Sequence, residues 1–296
     1  MLLLNACRTE LPQIGDQTKT RGVTDDLGRT VRVPERIERA ISLAPSLTEM
    51  IFAIGAGDRL VGVTTYCDFP PEAQAIQKVS DTQTPNIENI VALNPEVVLV
   101  TTASQLEAFM KTLEEQGIAV YVTNPTNLDG VFRNLVQLGD LFDQTERAED
   151  LALSLSRRVS YVTHQKNYQR PPAAVQRERP RVFFQISNEP LFTIGKDSFL
   201  TEIVESAGGV LVTKNVATAY PKLSKETALA LNPGVIILSD SEDNREPNDV
   251  FRNSPAVKNG RVIRVNPDLI SRPGPRLIDA LEQIARELQQ NESPSE

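Results

Sequence analysis

Tryptophan is absent from this 296-residue chain, histidine occurs once and cysteine twice. Two cysteines and the single His164 cannot complete an ordinary structural zinc site. His164 also has no Ser or Cys partner pattern, which argues against a His-dependent triad. A disulfide framework is missing as well, so Cys67 reads as a small buried hydrophobe. No apolar run approaches the ~18–20 residues that span a bilayer. Gly55-Ala56-Gly57 is followed by Leu60 where a dinucleotide fingerprint needs glycine, so no phosphate-cradling loop is present. Nor is there a basic excess: the formal net charge is −8, which argues against a phosphate-tracking nucleic-acid surface.

What remains is an ordinary globular composition, 40% hydrophobic and 24% charged. The length exceeds that of a usual single core, and two domains are expected. A repeat supports this. The segment from Glu88 to Leu99 (ENIVALNPEVVL) returns from Glu226 to Ile237 (ETALALNPGVII), 138 residues on. Each copy reads as a short helix that stops at Asn-Pro and enters a buried, β-branched strand. A second echo sets Leu47-Thr48-Glu49-Met50-Ile51 against Leu200-Thr201-Glu202-Ile203-Val204, closed by Gly55 and Gly208, at an offset of 153. The second half therefore lacks 15 residues between its two matches.

From Arg39 onward strands alternate with helical patterns, which predicts a mainly parallel sheet covered by helices. Strands are expected at 40–44, 60–63, 97–100 and 118–122, with a helix over 104–116 stopped by Gly117. Ser46-Leu47-Thr48-Glu49 has the form of a capping box, which gives Glu49 a structural role. Leu135, Leu138, Leu141, Ala148, Leu151, Leu155, Val159 and Val162 keep a three-to-four spacing without a strand. One helix should end near Phe142, and a second from Thr145 should form a stiff spine of ~30 Å. The second lobe begins at Arg181 and repeats the alternation, with a last helix over 276–289. The expected division is a tether over 1–22, a first lobe over 23–143, a bridging helix and loop over 144–180, and a second lobe over 181–296. The fold class is thus α/β: two Rossmann-like lobes bridged by one long helix, with a ligand cleft between them.

At the N-terminus, Leu4-Asn5-Ala6-Cys7 has the form of a bacterial lipobox, so Cys7 is expected to carry a lipid that anchors the protein to a membrane. The polar stretch from Arg8 to Gly22 suits a flexible tether behind it.

With these residues in view, the chain resembles the ABC-importer substrate-binding proteins that capture cobalamin, ferric siderophores or haem, and within that class the cobalamin binders. The resemblance runs from about Arg39 to Leu288 and is carried by Ser42–Glu49 (SLAPSLTE), Gly62–Pro71 (GVTTYCDFPP), Asn86–Leu93 (NIENIVAL) and Phe192–Lys196 (FTIGK). It implies an extracytoplasmic, monomeric binding protein with no enzymatic activity and no cofactor of its own, small hinge motion, and delivery of cargo to a permease dimer with its ATPase subunits. It further implies that Glu88 and Glu226 dock into arginine pockets on the permease. Two carboxylates on matching lobe tops would fix orientation and aid encounter. A first-turn acid also gains about 0.3–1 kcal/mol from the helix dipole, and the two roles are compatible.

For the ligand, the matching positions are Tyr66, Phe192, Tyr220, Asp268 and Arg272. Aromatic faces suit a flat macrocycle, and a few aimed polar groups suit its amide fringe. The chain departs from the cobalamin binders by having Thr82, Thr101, Leu269 and Tyr220 where they place tryptophans, and Ile186 where Phe is usual. A less aromatic pocket keeps siderophore and haem as alternative cargoes; Tyr66 and Tyr220 could chemically serve as axial ligands to haem iron. A non-transport surface module is a third alternative, and the paired acids argue against it.

Overall fold

The computed structural model describes residues 19–81, 86–102, 107–168 and 178–290. Cys7, Thr82 and the expected helix start at Ser104 lie outside the described residues. The described chain opens with an antiparallel hairpin of β1 (Thr20–Thr24) and β2 (Thr30–Pro34). Its turn is closed by the Asp25 carboxylate, which accepts from the backbone N–H groups of Leu27 and Arg29 and from the Arg29 guanidinium. Thr20, Arg21 and Gly22 are therefore strand residues, which corrects the tether expected to run through Gly22. Arg21 explains the difference: it donates to the Asp140 carboxylate and to the carbonyls of Asp140 and Leu141, over a hundred residues away.

The first lobe then runs β3 (Ala40–Ser42), α1 (Pro45–Ala53), β4 (Leu60–Thr64), β5 (Lys78–Ser80), α2 (Ile87–Ala92), β6 (Val97–Thr101), α3 (Glu107–Glu115) and β7 (Ala119–Thr123). Its strands form a parallel sheet in the order β5-β4-β3-β6-β7. Central β6 buries Val97 to Val100 on both faces, as a parallel strand covered on two sides must.

α4 (Leu128–Leu141) and α5 (Thr145–Tyr168) follow. Asn127 caps α4 by accepting from the Gly130 N–H at 2.7 Å. The two helices approach so closely that a Cβ at Gly139 would strike Ala148. At 24 residues, α5 extends for about 36 Å. Its Leu155 and Val162 belong to one apolar cluster that also takes in Leu47 of α1, Leu135 of α4 and residues of the second lobe. That shared burial makes α5 a spine between the lobes rather than a linker.

The second lobe contains β8 (Arg181–Ser187), β9 (Phe192–Thr193), α6 (Phe199–Ala207), β10 (Val210–Leu211), α7 (Lys225–Leu231), β11 (Val235–Ser239), α8 (Pro255–Lys258), β12 (Val262–Val265), α9 (Pro267–Ile270) and α10 (Leu277–Gln290). β10-β8-β11-β12 are parallel neighbours, and β9 pairs antiparallel with β8. The lobes share one winding: first strand, second strand to one side, third and fourth to the other. β5 has no counterpart among the described residues of the second lobe, which accounts for much of the shorter spacing there. α10 is tied to the spine by Arg158, which forks onto Glu282 at 2.8 and 2.9 Å and reaches Asp279 at 2.6 Å.

The repeat in sequence is a repeat in geometry. α2 and α7 are capped alike, Asn86 accepting from the Asn89 N–H and Ser224 from the Thr227 N–H. Both lead through a left-handed asparagine, Asn94 at φ 44° and Asn232 at φ 40°, into the central strand. The capping box expected at Ser46–Glu49 is corrected. α1 starts with Ala44 at its N-cap and Pro45 in its first turn, with no side-chain cap. Proline's fixed φ and missing N–H suit that place. Glu49 is left free for another task.

Candidate functional site: a cleft between two lobes

The β6 and β7 strands end at a cleft of about 650 Å³, and the segments after β3 and β4 supply the rest of the first-lobe wall. Parallel sheets gather loops at their carboxyl ends, which is where ligands settle in open α/β folds. The opposite wall comes from the start of α6, from Ala219 and Tyr220, and from the segment Asp268–Pro273.

Tyr66 and Tyr220 stand on opposite walls, 57% and 47% exposed, the two most solvent-open aromatic faces of the cleft. Burial pushes the Tyr220 phenol above its ordinary value, with a hydrogen bond to Ser198 pulling the other way. Tyr220 is therefore a neutral hydroxyl with an apolar face at neutral pH, not a phenolate.

Asp268 and Arg272 line the cleft as a pair, Arg272 Nη2 donating to Asp268 Oδ1 at 2.9 Å. Arg272 does more than that. Its Nη1 donates to Asp68 Oδ1 at 2.8 Å and to Glu49 Oε1 at 3.0 Å, and its side chain is only 10% exposed. Burial alone would lower the Arg272 pKa; the Asp68 and Glu49 hydrogen bonds and the Asp268 charge outweigh it and raise it. Asp68 shows the reciprocal effect. The Arg272 hydrogen bond, against the opposing cost of desolvation, holds its carboxyl below the usual range.

Phe192 stands elsewhere. It sits half-buried on β9, bridged to Lys222, and is not among the residues lining the cleft. Ile186 and Leu269 pack against the core, whereas Thr101 lines the cleft. Sequence reasoning missed the hydroxyl character of the walls. Ser46, Thr102, Thr123, Thr126, Ser198 and Ser271 all line the cleft, joined by the amide of Asn124. Asn124 accepts from Thr102 Oγ1 at 2.6 Å through its side chain, and its N–H donates to Asp26. A usable signal was present: Thr101-Thr102 and Thr123-Asn124-Pro125-Thr126 close two parallel strands.

Glu88 and Glu226 are both exposed, each the second residue of its short helix. The Glu226 carboxyl is held below its ordinary value by its own backbone N–H, by the Ser224 hydroxyl and by the Lys225 charge. Among the described residues no cluster of His, Cys, Asp and Glu is placed to hold a metal ion, and no helix is long and apolar enough to cross a membrane. His164 is exposed on α5 with a ring nitrogen 2.7 Å from the Ser160 carbonyl.

The profile of a family described as periplasmic binding protein matches residues 41–269. The chain is 30% identical over 276 residues to an uncharacterized ABC transporter substrate-binding lipoprotein, YvrC, of Bacillus subtilis, spanning 90% of this chain and 84% of that one. It is 31% identical over 255 residues to a vitamin B12-binding protein of Vibrio cholerae, spanning 85% and 89%. The crystal structure of the periplasmic vitamin B12 binding protein BtuF of Vibrio cholerae superposes with a TM-score of 0.72 at 28% identity, covering 87% of this chain and 98% of that chain.

Proposed function

The chain belongs to the periplasmic binding protein family, and from that premise we propose that it is the extracytoplasmic substrate-binding component of an ABC importer whose cargo is cobalamin or a closely related corrinoid. The observation that carries the cargo is the cleft itself. Two neutral tyrosine faces stand on opposite walls, and the surface between them is rich in hydroxyls and amide. A corrin ring offers a broad face to the tyrosines, and its amide-bearing fringe offers donors and acceptors to the hydroxyls. Haem fits less well: no His, Met or Cys lines the cleft, and Tyr220 is held in its neutral form.

In this reading Tyr66, Tyr220, Asp268 and Arg272 contact the ligand, and Phe192 stiffens the wall behind Tyr220 through its bridge to Lys222. Residues 23–143 and 181–296 act as the two lobes, with 144–180 as the bridge. The protein works as a monomer and binds without turnover. Glu88 and Glu226 present the same acid on the same capped helix in each lobe, which suits a permease dimer with two cationic sockets. Lipidation at Cys7 would hold the protein at the membrane that carries the permease.

Titration with cyanocobalamin, read by calorimetry and by the change in corrin absorbance, tests the cargo. Saturable one-to-one binding is the expected result. Neither heat nor a spectral shift would reject cobalamin, and haem and ferric siderophores would be titrated next.

A further inference from the structure

Arg276 and Phe69 lie outside the cleft lining, yet they join the ion-pair cluster to it. Glu49 is 3% exposed at its side chain and accepts from two guanidinium groups of the second lobe. Arg276 forks onto it, Nε to Oε2 at 2.9 Å and Nη2 to Oε1 at 2.5 Å, and Arg272 adds its Nη1. Both arginines then reach the loop after β4. Arg272 donates to the Asp68 carboxylate and to the Tyr66 carbonyl, and the Arg276 guanidinium lies 3.8 Å over the Phe69 ring. The loop makes few ties of its own. Cys67 N–H donates to Thr64 and Asp68 N–H to Tyr66, both within the turn, and Tyr66 itself is more than half exposed.

We propose that Glu49 is a positioning residue for ligand capture: it orients Arg272 and Arg276, and through them it fixes the loop that presents Tyr66 to the cleft. The ligand-binding half of this inference rests on the function proposed above; the loop-fixing half does not. A carboxylate so deeply buried is tolerated because two cations and several hydrogen bonds compensate it. Planar guanidinium groups give the geometry direction as well as charge, which a lysine would not. The first-lobe aromatic is thus placed by the second lobe, with Glu49 as the common anchor.

Hydrogen exchange and cyanocobalamin titration on the full chain test it with Glu49→Gln, and with Phe69→Leu as a milder variant that keeps the buried ion pairs. Glu282→Gln, which breaks an ion pair with Arg158 far from the cleft, is the control for general loosening. In Glu49→Gln the amides of Thr65, Cys67 and Asp68 should exchange at least about tenfold faster, with a smaller rise in Phe69→Leu and none in Glu282→Gln. Affinity should fall in the same order, and Glu49→Asp should restore part of it. Loop exchange unchanged from wild type in Glu49→Gln, or raised equally in Glu282→Gln, would overturn the proposal. A loosened loop with unaltered affinity would overturn the positioning role. Should wild type not bind cyanocobalamin at all, the cargo assignment fails alone and the exchange data still decide whether Glu49 fixes the loop.

Discussion

Glu49 and Glu202 stand 153 residues apart at matching places in α1 and α6, and each gives its carboxylate to an element outside its own lobe's sheet and helices. Glu49 takes Arg272 and Arg276 of the second lobe; Glu202 Oε2 accepts from the Leu128 N–H at 2.9 Å, at the start of α4, which packs on α1 and α5. A carboxylate at a helix N-terminus is favoured by the exposed N–H groups and the dipole. The repeated acid therefore ties the halves together from both sides, with a guanidinium pair in one direction and a helix end in the other.

Truncating the cleft tyrosines should weaken corrinoid binding on both walls. Tyr66→Ala and Tyr220→Ala are each expected to cost about tenfold in affinity, because a stacked aromatic contributes roughly 1 kcal/mol beyond its area. Phe192→Ala should cost less in affinity and more in thermal stability, since it is half-buried outside the cleft lining. Calorimetric titration beside thermal unfolding separates the two effects.

Reversing both lobe-top acids should separate binding from delivery. Glu88 and Glu226 are exposed and lie away from the cleft lining. The double variant Glu88→Lys with Glu226→Lys should keep its ligand affinity and fold, shifting stability by no more than about 1 kcal/mol through the helix dipoles. Stimulation of the partner transporter ATPase should vanish. Transport at the wild-type rate would exclude these two acids as the docking pair.

Acid should loosen the loop that carries Tyr66. The folded Asp68 carboxyl is held below its ordinary value chiefly by the Arg272 hydrogen bond. A depressed carboxyl contributes stability that is complete above the unfolded value of about 3.9 and is lost as pH falls through the folded value. Glu282, held down by Arg158, behaves likewise. Melting temperature followed from about pH 6 to pH 2 should drop more gently for Asp68→Asn than for wild type; parallel curves would mean that the Asp68–Arg272 pair contributes nothing.

The paired asparagines offer a test of backbone strain. Asn94 and Asn232 hold φ near +40° at the ends of α2 and α7, where a β-carbon is costly but asparagine and glycine are tolerated. Replacing either by Ala should cost about 1 kcal/mol, while Gly should be neutral to slightly stabilising. Chemical denaturation of the four single variants gives the answer, and equal stability of Ala and Gly at both sites would contradict it.

The sequence by itself determined what local chemistry can encode. The doubled ENIVALNP-like phrase announced two related lobes because capping residues, an Asn-Pro stop and a β-branched run act within a dozen residues of one another. The three-to-four spacing from Leu135 to Val162 likewise declared two successive helices and the spine. It could not declare that Glu49 belongs to Arg272, 223 residues away, rather than to a capping box, since both uses leave the same four letters. Nor could it show that Thr20–Gly22 pair as a strand, which depends on Arg21 reaching Asp140 and Leu141. Only the packed tertiary structure decided that Phe192 would turn from the cleft and that threonines at two strand ends would face it. Such choices depend on which elements pack against which, and burial and ion pairing across long sequence separations are properties of the assembled fold.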